Sequence, residues 1–311
     1  MTTADGARPL IGVTMGDPRG IGPEVTRAAL SLAGDGARWR IYGEPSLYDG
    51  IEASFISPVG SFPERDAVER AAADLASGDV DGVVTAPVSK ACFQGEFPGH
   101  TELFADRLAV EDFAMLLTGP ELSVVPVTTH APLRDVADQL TTEALHRIGL
   151  LVNRWLPRGL DVQRPRLAFS GLNPHCGDGG LFGDEESTVI QPAIDALKAQ
   201  GVDASGPWSP DTVFHHARSG RFDVVVCPYH DQALIPFKLL HFSDGVNVTI
   251  GLPRPRTSPD HGPAYDLVGT GLADPTSMVR AVEMAIRLAD TEPVMSRTGR
   301  DAIAPIPPRA V

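Results

Sequence analysis

What this chain of 311 residues has little of narrows its function before any motif is read. Positive charge is scarce: 26 Lys and Arg face 40 Asp and Glu, a formal net charge of −14. Such a surface disfavours phosphodiester backbones and anionic headgroups, so neither a nucleic acid nor a membrane is expected as partner. An anionic substrate would need a local cationic cluster working against the global field. Cysteine is limited to Cys92, Cys176 and Cys227 with no CxxC spacing, which points to a reduced, cytoplasmic compartment. Apolar runs stay well short of the roughly 20 residues of a spanning helix. The opening "MTTADGARPL" lacks a basic stretch followed by an apolar one, so no signal peptide is expected. Neither a GxGxxG fingerprint nor a P-loop is present.

What is present alternates. Apolar runs at 9–16, 38–43, 81–87, 113–119, 123–129, 165–172, 222–229 and 246–253 read as strands. Helical spacing recurs at 22–34, 63–78, 141–156, 185–200 and 276–291. Strands alternating with helices predict an α/β fold with mostly parallel sheet covered on both faces. The length suffices for two such domains, although composition marks no boundary. The closing "IAPIPPRAV" reads as a loose tail.

Three histidines stand where predicted strands end: His130 in "VTTHAPLRDV", His175 in "NPHCGDGGLFGDEE" and His230 in "CPYHDQALIPFK". Singly, each is more often structural. Together they occupy the carboxyl ends of strands, where open α/β sheets place ligands, and three imidazoles suit a catalytic divalent ion. His146, His215 and His216 fall on helices or loops and take no role. Lys238, Asn247 and Arg256 follow in the last third, and converging cations would bind phosphate or carboxylate. "MGDPRGIGPE" (15–24) follows a strand and opens a helix, a place where amides meet anions, yet alone it is equally a tight turn. The loop 260–275 is too long and glycine-rich for a plain connection, and its Asp266 could accept from ribose hydroxyls.

"GDPRGIGPE", "TAPVSK", "PGHTE", "TTHAPLRDV", "LNPHCGDGG", "YHDQALIPFK", "GVNVTIGLP" and "RTSPDHGPAYDLVGTGLAD", in this order, resemble the 4-hydroxythreonine-4-phosphate dehydrogenases of vitamin B6 biosynthesis. The resemblance implies the isocitrate/isopropylmalate dehydrogenase-like fold, two α/β/α domains with a cleft between them. Residues 1–118 plus 254–311 would carry the cofactor loop, and 119–253 the metal histidines. It implies metal ligation by His130, His175 and His230, and substrate contacts from His100, Thr101, Lys238, Asn247 and Arg256. The final loop resembles the adenosine loop of that fold, which implicates His261, Gly262 and Asp266 in holding NAD or NADP. Arg19, Cys176, Ala233 and Pro263 depart from the usual family pattern.

The implied reaction oxidises a secondary alcohol of a phosphorylated hydroxy acid, with zinc, magnesium, cobalt or manganese as the ion. The β-keto acid formed then loses carbon dioxide. Asp211 in "SPDTVF" and Lys238 are the two residues considered as proton acceptor. Relatives are homodimers with the active site at the subunit interface, so His230 is expected from the opposite chain to His130 and His175. Other relatives oxidise D-threonate or D-erythronate 4-phosphate, or aromatic dihydrodiol carboxylates; Lys238 and Arg256 favour a phosphorylated substrate over the last. A metal-dependent hydrolase could use the same histidines but leaves loop 260–275 unexplained. Acyltransferases of this fold lack the histidine set, and a purely metal-binding protein leaves Lys238, Asn247 and Arg256 without purpose.

Overall fold

Val, Ile and Leu in unbroken runs predict strands buried on both faces, and the interior is built from such runs. The structure, a computed structural model, describes residues 8–290, so most of the opening stretch and the whole proline-rich tail lie outside the described residues. Its strands are β1 (Leu10–Thr14), β2 (Arg38–Tyr42), β3 (Ser54–Ile56), β4 (Gly82–Thr85), β5 (Ala114–Thr118), β6 (Ser123–Thr128), β7 (Arg166–Ser170), β8 (Asp203–Trp208), β9 (Val224–Tyr229), β10 (Val246–Ile250) and β11 (Arg256–Pro259). The helices are α1 (Gly22–Ala33), α2 (Pro63–Ser77), α3 (His100–Arg107), α4 (Val136–Gln139), α5 (Thr142–Gly159), α6 (Gln191–Ala199), α7 (Val213–Arg218), α8 (His230–His241) and α9 (Thr276–Ala289).

Local chemistry explains the helix starts. Pro23 and Pro63 occupy first turns, where a missing N–H costs nothing. The Thr141 hydroxyl accepts from the Ala144 amide at 3.1 Å and caps α5. The helix expected over 185–200 opens with one wide turn at Glu186–Ile190 before continuing as α6.

All strands join one sheet in the order β3-β2-β1-β4-β11-β10-β5-β6-β9-β7-β8. Two runs of parallel strands, β3-β2-β1-β4-β11 and β6-β9-β7-β8, flank a centre in which β10 pairs antiparallel with β11 and β5, and β5 antiparallel with β6. The expected mostly parallel sheet is therefore present, with its direction reversed through the middle. The boundary expected at 118/119 falls in the β5–β6 turn and that at 253/254 between β10 and β11, so β5 and β10 interleave at the centre.

Candidate active site

β6, β9 and β7 are neighbours, and each delivers its histidine at its carboxyl end. His130 lies two residues beyond β6, His230 opens α8 directly after β9, and His175 sits in the loop after β7. The rings of His130 and His230 stand 6.1 Å apart in one chain. Around His130, Lys90 Nζ lies 3.1 Å from Nε2 and Glu102 Oε1 3.1 Å from Nδ1. An ammonium can only donate and a carboxylate only accept, so Nδ1–H points to Glu102 and the lone pair sits on Nε2. His230 repeats the pattern, its Nδ1–H donating to Asp231 Oδ1 at 2.7 Å. Both rings thus carry an unprotonated Nε2, the form a divalent ion requires, with a carboxylate behind each, and the Nε2 of His130 accepts from Lys90.

The His175 loop is built differently. Residues 175–179 all have positive φ, including the non-glycine His175, Cys176 and Asp178, a conformation that must be enforced by surrounding bonds. Buried Glu186 braces the start of this loop, accepting from the amides of Leu172 (2.8 Å) and Asn173 (2.7 Å) and from Asn173 Nδ2 (3.1 Å). Exposed Asp211 lies within electrostatic reach of His175. A hydrogen bond from Ser209 Oγ at 2.6 Å is the main cause holding Asp211 below the usual carboxylate range. Among the described residues, no three His, Cys, Asp or Glu side chains of one chain are grouped to hold an ion.

A second cluster seeks an anion. Arg256 begins β11 and is only 2 % exposed. Its guanidinium donates to Thr249 Oγ1 at 3.2 Å and to Thr85 Oγ1, and its Nε has no hydrogen-bond partner. Burial pushes its pKa down to about 9, only partly countered by the charge of Glu102. His100 opens α3 beside it, packed edge-on against Phe93 at 5.4 Å. Burial, with Arg256 second, drives the His100 pKa well below the ordinary histidine value, so the ring is neutral. Thr101, 8 % exposed, follows in the first turn of α3, where unbonded amides favour anions. Register places Asn247 opposite Ser258 and Thr249 opposite Arg256, so Asn247 and Arg256 share one face of the sheet.

Among the described residues, nine buried side-chain polar atoms lack a hydrogen-bond partner, and four of them belong to His100, Asn247, Arg256 and His261. Natively folded chains leave few such atoms, so their concentration in residues singled out from sequence marks a place for a polar ligand. Lys238 stands on α8, its ammonium donating to the Asp260 carbonyl at 2.7 Å and pairing with its carboxylate at 3.0 Å. Burial raises the pKa of Asp260, and Lys238 offsets part of that rise. His261 Nδ1–H donates to the Gly262 carbonyl at 3.0 Å, while Gly262 and Asp266 are exposed.

Glu102, Lys90, Thr85 and Asp260 complete these clusters and were not singled out from sequence. Glu102 and Lys90 lie inside "PGHTE" and "TAPVSK", so the motifs were legible while the contacts within them were not. Burial alone would raise the Glu102 pKa, but the hydrogen bond from His130 and its own backbone amide bring it below the usual value.

A sheet of this order with imidazoles and a buried guanidinium near its strand ends defines an α/β fold that is also seen, at TM-score 0.57 and 14 % identity, in a β-decarboxylating dehydrogenase from Thermococcus kodakarensis. That match covers 90 % of this chain and 83 % of the other and speaks for the fold alone. The family follows from closer likenesses. The model of the family described as "Pyridoxal phosphate biosynthetic protein PdxA" matches residues 60–285, and the chain belongs to that family. The chain is 43 % identical to a 4-hydroxythreonine-4-phosphate dehydrogenase from Desulfosudis oleivorans, over 90 % of this chain and 96 % of the relative. It is 39 % identical to a D-threonate 4-phosphate dehydrogenase from Salmonella typhimurium, over 90 % and 98 % respectively. A crystal structure of 4-hydroxythreonine-4-phosphate dehydrogenase from Klebsiella pneumoniae superposes with TM-score 0.76 at 36 % identity, covering 90 % of this chain and 99 % of that one.

Proposed function

We propose that this chain is an NAD(P)-linked, divalent-metal-dependent dehydrogenase acting on a phosphorylated hydroxy acid. The first substrate is 4-phosphohydroxy-L-threonine, giving 2-amino-3-oxo-4-phosphobutanoate and, after decarboxylation, 3-amino-2-oxopropyl phosphate for vitamin B6 biosynthesis. The observation that carries this reading is Arg256: a buried guanidinium with hydroxyl partners and an unbonded Nε. A desolvated charge without a matching anion is costly, and a dianionic phosphate removes that cost when it binds.

His100, Thr101, Asn247 and Arg256 hold the phosphate end, and Lys238 orients the carboxylate from α8. His130, His175 and His230 fit a divalent ion by donor chemistry, since the two resolved tautomers both leave Nε2 unprotonated, that of His130 in exchange for its bond from Lys90. When bound, the ion supplies Lewis-acid polarisation of the alcohol oxygen, and NAD(P) supplies the hydride acceptor. Residues 260–275, with His261, Gly262 and Asp266, hold the nucleotide. Lys238 and Asp211 are the two residues proposed to move the alcohol proton, and the lowered pKa of Asp211 weakens it as a base at neutral pH.

The site is proposed to be completed by a second copy of the chain, with the partner subunit's His230 joining His130 and His175. Within one chain the rings of His130 and His230 already stand 6.1 Å apart, so the support comes from the surface. α8 and its cap expose Ile235 (70 %), Leu239 (84 %) and Phe242 (77 %) at spacings of four and three, an apolar stripe on the helix that His230 opens. We further propose the division into residues 1–118 plus 254–311 and residues 119–253, and a cytoplasmic location; no helix among the described residues is long and apolar enough to cross a membrane.

A second reading, D-threonate or D-erythronate 4-phosphate as substrate, is favoured by the comparable identity to a D-threonate 4-phosphate dehydrogenase. One assay separates the two readings: reduction of NAD+ and NADP+ on 4-phosphohydroxy-L-threonine, both sugar-acid phosphates and an aromatic dihydrodiol carboxylate. Preference for the unphosphorylated dihydrodiol would overturn the anion-site reading.

A further inference from the structure

The turn "MGDPRGIGPE" has no part in the clusters above, yet it is the surface on which the glycine-rich loop rests. The Asp17 side chain is fully buried and accepts from Tyr265 OH at 2.7 Å. Arg19 grips the same carboxylate with Nε and Nη2, both at 3.1 Å, and with its backbone amide at 3.0 Å, while its own side chain stays 72 % exposed. Backbone contacts run alongside: the Ile21 amide donates to the Pro263 carbonyl at 2.8 Å. At Gly20 a Cβ would approach Pro263 to 2.7 Å, so only glycine admits this approach. Tyr265 lies within reach of a hydrogen bond with Ser89, next to the Lys90 that touches His130. The phenol therefore stands where the turn, the Ser89–Lys90 segment and the loop meet.

Beyond Tyr265 the loop is bonded mainly to itself. Leu267 and Thr270 close turns inside it, and its further polar tie to the body is a long 3.5 Å contact from the Gly269 amide to Glu24. Tyr265 and Asp266 are adjacent, so whatever fixes the phenol fixes the backbone from which the exposed Asp266 carboxylate projects. A neutral tyrosine donating to a fully ionised, arginine-clamped carboxylate is a charge-assisted bond, stronger than an ordinary one. Burial pushes the Asp17 pKa up, but hydrogen bonds from Arg19 first and Tyr265 second hold it below the usual carboxylate range, and the bond to Asp17 raises the Tyr265 pKa.

We propose that Tyr265, anchored on the Asp17–Arg19 pair, is a positioning residue for the cofactor: it sets the loop carrying Gly262 and Asp266 in the shape that accepts the nucleotide before the nucleotide arrives. Arg19, one of the departures from the family pattern, strengthens the anchor in this chain. The inference rests on reading residues 260–275 as the cofactor loop. Preorganisation of this kind acts on cofactor affinity and leaves the phosphate cluster around Arg256 untouched.

The test is Tyr265→Phe in the full-length protein, titrated with NAD+ and NADP+ by calorimetry and assayed with 4-phosphohydroxy-L-threonine. The expected result is cofactor Kd and KM raised about tenfold, the scale of one charge-assisted bond, with kcat at saturating cofactor and the phospho-substrate KM changed less than about twofold. Asp17→Asn, which keeps the shape but removes the charge, should shift cofactor affinity in the same direction. Asp266→Ala tests the underlying reading. If Asp266→Ala weakens the cofactor and Tyr265→Phe does not, the anchor is dispensable and the inference falls while the loop assignment stands. If neither variant weakens it, the loop assignment fails and takes the inference with it. Equal losses of cofactor and phospho-substrate affinity in Tyr265→Phe would make the bond merely structural, which also overturns the inference.

Discussion

Arg256 shows how one side chain can be expensive alone and useful in company. Fully desolvated, bonded to two threonine hydroxyls and short of a counter-ion, it raises the free energy of the unliganded protein. Arg256→Ala should therefore leave the melting temperature of the unliganded protein unchanged or raise it, while weakening the phosphorylated substrate by about 2–3 kcal/mol. Lys238→Ala, removing a half-exposed ammonium already paired with Asp260, should weaken it by a smaller amount. Substrate titrations of both variants check this, and normal affinity in both would place the anion elsewhere. His100 gives a pH signature from its depressed pKa. The unfolded chain takes up a proton near pH 6.5, an ordinary histidine value, whereas the folded one resists until lower pH. Stability present above about pH 6.5 is thus lost as pH falls from there toward the lowered folded value. Melting curves of His100→Asn should show a shallower decline across that window than the parent; parallel curves would mean His100 is not held neutral.

Elements were read from sequence where side chains announce them. The valine-rich β9 and the fully buried β5 were plain, as were α1 and α5. β3 has three residues, β8 carries Gly206 and Pro207, and β11 reads "RTSP", so propensity says little in any of them; ladder partners decide. α8 contains Pro236 and α3 spans only eight residues, and neither was among the helices expected from spacing. Within the site, His130, His175 and His230 stood out by their strand-end positions, Asn247 and Arg256 as polar groups among histidine- and glycine-rich loops, and His100 through the family resemblance. Glu102 and Asp260 did not, because a carboxylate's role depends on which distant element faces it, and that is a property of the fold. Glu102 and Asp231, the carboxylates behind the His130 and His230 imidazoles, make an element-level prediction. Glu102→Ala should reduce divalent-ion affinity about 10- to 100-fold by freeing the His130 ring. Alanine at His130, His175 or His230 should abolish most binding and turnover, as should chelation. Direct ion titration is the readout; full activity in a metal-free preparation would end the metal reading.

At the scale of the whole molecule, a shared site makes defects complement. His130→Ala and His230→Ala should each be nearly inactive alone, yet a mixed dimer concentrates both defects in one site and leaves the other intact. Random reassociation of equal amounts makes about half the dimers mixed and restores roughly a quarter of the sites. No recovery, with exchange confirmed by mass, would reject His230 as the crossing residue. Repeating the mixture as His130→Ala with His175→Ala then asks whether His175 crosses instead. Leu239→Asp, in the apolar stripe of α8, should give a monomer with little activity.

The antiparallel centre of the sheet has a mechanical meaning. The chain passes between the two parallel runs twice, at the β5–β6 turn and between β10 and β11, and the intervening strands are hydrogen-bonded to both sides. A single flexible tether would let the two halves drift, and each binding event would have to collect them again. Ladders on both sides of β5 and β10 fix the register between the runs, which keeps Arg256 and Asn247 in lateral alignment with the histidine-bearing strands. Whatever ligand arrives meets parts that are already aimed.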